Sequence, residues 1–98
     1  MLIKIIKTYR DVVAVCDKEL IGKRFEEDKF QLEVKENFFN GDEIGEEKAI
    51  EIMKQMSMKD STFNIVGRKS VNTAIKAGII SRQQIKKIQE IPFALVLT

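Results

Sequence analysis

The stretch Asn64-Ile65-Val66-Gly67-Arg68-Lys69-Ser70 holds the residues best placed to act on a ligand. It reads as a strand that passes through a glycine into the start of a helix. Backbone N–H groups at such a start lack intrahelical partners, and the helix dipole favours negative charge there. Arg68 and Lys69 add two cations beside those donors. Ser70 can cap the helix or donate its hydroxyl. Gly67, Arg68, Lys69 and Ser70 are therefore a candidate anion-binding turn; the alternative is an ordinary strand-to-helix turn with exposed basic side chains. The stretch is not a Walker A loop. That motif needs a second glycine directly before Lys-Ser/Thr, and Arg68 stands there. Nucleotide hydrolysis is thus not supported.

Arg82, Lys86 and Lys87 follow closely. On one short helix, Arg82 and Lys86 would share a face, being four residues apart. With Arg68, Lys69 and Lys76 they would form a patch for a phosphate backbone. Net charge is only +2, but residues 61–98 carry six Lys/Arg against one acidic residue, while residues 25–60 carry five against eleven. A basic third of this kind either faces a polyanion or packs beside the acidic middle and is neutralised by it. Phe63 and Phe93 are the only aromatics in that third, and both suit a core better than a base-stacking platform.

Other chemistries are poorly served. The chain has no histidine and a single cysteine, Cys16, which excludes Cys/His zinc sites, Ser-His-Asp and Cys-His systems, and an internal disulfide. Glu26-Glu27-Asp28 and Asp42-Glu43 lack EF-hand spacing and read as solvated loop charge. Cys16 reads as a buried, inert thiol. No cofactor or metal is expected, and the balance favours a binding module over an enzyme.

These residues need a scaffold, and 98 residues suffice for one domain spanning 1–98. Leu2–Ile6 and Val12–Cys16 read as two strands of a hairpin, the second apolar at every position and so covered on both faces. Asp17 is expected to cap a single helical turn that Gly22 stops. Residues 31–35 alternate as a third strand, and Asn40-Gly41-Asp42 is a turn. The apolar spacing of Ala49, Ile50 and Met53 predicts a helix over 46–57. Residues 63–66 form a strand, a helix opens at Ser70, and a third short helix capped by Ser81 carries Ile85 and Ile88. Pro92 precedes a final strand over 93–97. The order β-β-β-α-β-α-α-β describes an α/β or α+β fold, a mixed sheet packed by about three helices. No apolar run approaches a membrane span, and the lone cysteine suits a reducing compartment, so the cytoplasm is the expected location.

Four segments in order carry a family resemblance. They are Val13-Ala14-Val15-Cys16-Asp17-Lys18-Glu19-Leu20-Ile21-Gly22; Leu32-Glu33-Val34 with Phe38-Phe39-Asn40-Gly41; Phe63-Asn64-Ile65-Val66-Gly67 with Ser70-Val71 and Ala74 to Ile80; and Ile91-Pro92 with Ala94. The chain resembles the archaeal domain of unknown function four-two-four family over nearly its whole length. The most specific positions are Cys16, Asp17, Glu19, Leu20, Gly22, Asn64 and Gly67. The resemblance implies a cytoplasmic archaeal protein with a link to translation and with no established activity, substrate or cofactor. Members typically carry a histidine where this chain has Phe93. The reading from sequence is a module for RNA or a ribonucleoprotein; a site for a small phosphate or carboxylate, with Asp17 and Glu19 as acid/base groups, and an adaptor using a sheet edge are the alternatives.

Overall fold

The protein is described by a computed structural model covering residues 1–97. Strands β1 (Leu2–Ile6) and β2 (Val12–Cys16) form the expected antiparallel hairpin. After one 3-10 turn (Lys18–Leu20), β3 (Arg24–Glu27) and β4 (Phe30–Glu33) make a separate two-stranded sheet. Helix α1 (Glu36–Phe39) and the short β5 (Asp42–Glu43) lead into α2 (Glu46–Ser57). Strand β6 (Thr62–Val66), helix α3 (Arg68–Lys76), a second 3-10 turn (Arg82–Gln84), β7 (Lys86–Ile88) and β8 (Ile91–Val96) complete the chain. The main sheet has the order β5-β1-β2-β6-β8-β7. Its central pair, β2 and β6, is parallel, and all other neighbours are antiparallel.

Strand pleating sends alternate residues of β2 to opposite faces, which is why an unbroken apolar run is needed there. Val13 and Val15 join Phe63, Ile65 and Ala94 against Ala49, Met53 and Met56 of α2, Val71 and Ala74 of α3, and Ala77 just past the end of α3. Ala14 and Cys16 face the other way, where Leu2 and Val66 meet Leu20, Val34 and Phe39. The β3–β4 hairpin and α1 thus cover one face, and α2 and α3 the other. Gly41 sits where α1 returns to the sheet; a β-carbon there would stand 2.1 Å from the Ile3 carbonyl oxygen, so no larger residue fits without moving backbone.

The mixed sheet and the helix over 46–57 match the sequence expectation. Several local readings do not. The third helix is a single 3-10 turn followed by β7, so Lys86, Lys87 and Ile88 lie on a strand and Arg82 and Lys86 share no helical face. The cause is the two-residue turn Gln89-Glu90, which folds that segment back along β8. Pro92 is tolerated inside β8 because it sits beside the end of β6, where its carbonyl accepts the Gly67 N–H at 2.8 Å. Helix α3 begins at Arg68, two residues before the expected Ser70. Strands β3 and β5 and helix α1 lack a periodic sequence signal, since each is only two to four residues long.

Met53 is fully buried between α2 and the sheet. Met53→Ala is expected to cost about 2–5 kcal/mol of stability, read as a lower urea midpoint with an unchanged m-value.

Candidate functional site

The expected anion-binding turn starts where β6 ends. β2 and β6 run parallel, so their carboxyl ends lie side by side, with Cys16 opposite Val66. From there the chain leaves in opposite directions. After β2 it passes to the hairpin face, where Leu20 is buried, and after β6 it enters α3 on the helix face. Adjacent parallel strands whose connections diverge to opposite faces leave a crevice between them, the usual ligand position in open α/β sheets.

Here Asp17 lies in that crevice. Its backbone N–H donates to the Val66 carbonyl at 3.0 Å, extending the β2–β6 ladder by one residue. Its carboxylate turns onto the N-terminus of α3. Oδ2 accepts the Lys69 N–H at 3.1 Å, while Oδ1 accepts both the Ser70 N–H and the Ser70 hydroxyl at 2.8 Å. Asp17 and Ser70 are both buried. The expected cap on the following 3-10 turn is not made by this side chain. Asp17 instead caps a helix far along the chain, and the amide donors that would face an external anion are held internally.

Gly67 makes the closeness possible. Its φ of 108° and ψ of 156° fall in a region open essentially to glycine alone. A β-carbon would also sit 2.3 Å from the Asp17 Cγ. Of the other resembling positions, Leu20 is a core anchor, Gly22 donates its N–H to the Val34 carbonyl at 2.8 Å, and Cys16 is buried beneath the hairpin. Burial pushes the Cys16 thiol up to about 11, with the adjacent Asp17 carboxylate adding to the rise. Asn64 and Phe93 line an apolar groove of about 280 Å³ against Leu32, Phe38 and Phe39. Among the described residues no group of three or more Cys, Asp or Glu side chains converges as a metal site would require.

The basic residues divide. Arg68, Arg82 and Lys87 line one cleft of about 330 Å³, with Asn72 and Glu90 in its walls and Val71, Ile85 and Pro92 as its apolar lining. A second cavity of about 230 Å³ adjoins it, sharing Arg68 and Pro92 and adding Lys69, Glu19 and the edge of Asp17. Lys87 pairs with Pro92 across the sheet and so points to the α3 side. Lys86 pairs with Phe93, whose side chain packs on the hairpin face, and leaves the group. Lys76 is also apart, bound to Glu46 at 2.7 Å and joining α3 to α2. Arg68, Lys69, Arg82 and Lys87 make no ion pair among the described residues. Sequence reasoning does not single out Asn72 or Glu90. Glu90 carries a signal all the same, being the one acidic residue in the basic third.

Fold and site together define a small mixed α+β protein with a cation-lined cleft beside the carboxyl ends of its parallel strand pair. The chain belongs to the family described as protein of unknown function (DUF424), whose profile matches residues 6–98. The crystal structure of an uncharacterized conserved protein from Methanopyrus kandleri has a similar fold, with a TM-score of 0.83 at 20% identity, covering 99% of this chain and 92% of that one. No curated protein matches at a significant level. No helix among the described residues is long and apolar enough to cross a membrane.

Replacing Asp17 by Ala strands two amides and a buried hydroxyl, and is expected to cost about 2–4 kcal/mol; Asp17→Asn, still a good cap, costs less. Urea denaturation of the two variants gives that ranking. The Cys16 thiol yields a pH dependence. The unfolded chain releases this proton near 9.0 and the folded one only near 11. Between those values the unfolded state ionises first, so stability falls as pH rises through the window. The difference between wild type and Cys16→Ala isolates this decline.

Proposed function

We propose that the protein is a non-enzymatic binding module that holds the phosphate backbone of RNA along the cleft lined by Arg68, Arg82 and Lys87. The observation that carries this reading is the meeting of three cations, from α3, the second 3-10 turn and β7, around one cleft in which none of them is ion-paired among the described residues. Cations left unpaired and converging keep their full charge for an incoming anion. Lys69 and the adjoining cavity extend the track past Arg68, which suits a chain of phosphates better than a single ion. Because Asp17 already holds the Lys69 and Ser70 amides, side chains rather than main chain carry the contact. No aromatic residue lines either cavity, so recognition rests on phosphate and sugar rather than on stacked bases.

Binding of a structured RNA hairpin is expected to weaken steeply with salt. In the variant Arg68→Ala/Arg82→Ala/Lys87→Ala the slope of log K against log salt becomes shallower by about 2–3, at roughly 0.7–0.9 for each phosphate no longer neutralised. Lys48→Ala/Lys54→Ala/Lys59→Ala removes the same charge outside the cleft and leaves that slope nearly unchanged. No binding at low salt, or equal effects of the two variants, overturns the reading.

A further inference from the structure

Glu90 stands in the wall of the cleft that holds Arg68, Arg82 and Lys87, yet it forms no ion pair among the described residues. It therefore neutralises none of the three cations directly. Its position is also held against local preference. Gln89 and Glu90 have φ values of 50° and 66° and form the whole two-residue loop between β7 and β8. Two positive φ values in such a loop define a type I′ turn, which favours Asn-Gly and penalises longer side chains. Gln89 has a structural use for the conformation. Its N–H donates to Glu27 Oε1 at 3.0 Å and its Nε2 to the Glu26 carbonyl at 2.6 Å, tying the β3–β4 hairpin to the sheet. Glu90 makes no comparable bond among the described residues; the turn sets it in the wall of the cleft.

A carboxylate beside phosphate-binding cations repels phosphate, so it weakens binding unless the ligand offers it a donor. In a nucleic acid whose bases are not stacked in the site, the donor carried by every residue of the backbone is the ribose 2′-hydroxyl. A hydroxyl donating to an ionised carboxylate is among the stronger hydrogen bonds. We propose that Glu90 accepts a hydrogen bond from a ribose 2′-hydroxyl and makes the cleft selective for RNA over polyanions of the same charge lacking that group. This rests on the RNA reading and adds the specificity-determining residue.

The test compares one RNA hairpin with its 2′-fluoro counterpart, which keeps the charge and A-form geometry but has no hydroxyl donor. Wild type is expected to prefer the hydroxyl form about tenfold. Glu90→Gly, which suits the turn and so retains the fold, is expected to bind both forms equally and to bind the 2′-fluoro form more tightly than wild type does. Glu90→Gln is expected to lower the preference without abolishing it. A preference that survives Glu90→Gly, or a wild type that binds both forms equally through the cleft cations, overturns the assignment while leaving the RNA reading standing. Absence of binding to either form at low salt overturns both.

Discussion

The carboxylate of Asp17 on the first turn of α3 is the interaction that organises this molecule. The residue closes three things at once. It extends the ladder between the two parallel strands, satisfies donors at a helix start, and binds a buried serine hydroxyl. The geometry tolerates one residue type at the point of closest approach, because Gly67 combines a backbone conformation that side chains resist with a space already full of carboxylate. Cys16, Asp17, Gly67 and Ser70 are therefore one unit. They look like scattered motif residues only when the chain is laid out in a line.

That unit shapes the electrostatics around it. A buried negative charge compensates the dipole of α3, so Arg68 and Lys69, exposed on its first turn, are not drawn inward to serve as its counter-charges. They remain at the surface beside Arg82 and Lys87, while Lys76 at the far end of the helix is used structurally against Glu46. The division of the basic third into a converging group and a structural remainder follows from topology: strand alternation in β7 sends Lys87 to one face and Lys86 to the other.

Much of the scaffold is legible in the sequence because its signals are periodic. The all-apolar β2 announces a strand covered twice, and the apolar stripe of α2 announces a helix on a core. The segment from Ser81 to Ile88 misleads because its isoleucines suit a helix and a strand alike, and only pairing with β8 selects between them. The cap misleads for a related reason. An aspartate before a helical turn is a local signal, whereas the helix that Asp17 serves lies 52 to 53 residues away and is brought close by a parallel strand pair that no local pattern encodes. Grouping Arg68, Arg82 and Lys87 needs the same long-range information, and Glu90 needs the turn geometry besides.

The seam between β2 and β6 also governs how the chain must assemble. The β1–β2 hairpin and the β7–β8 hairpin each join near neighbours, and closing such loops is fast. The seam joins Val12 to Thr62, so the whole intervening chain must be gathered before it can form, and its loop-closure entropy is met late. Nine residues are too few for α3 to persist alone in water. Its N-terminal partner arrives only when the seam closes, which makes the helix a product of long-range assembly rather than a seed for it.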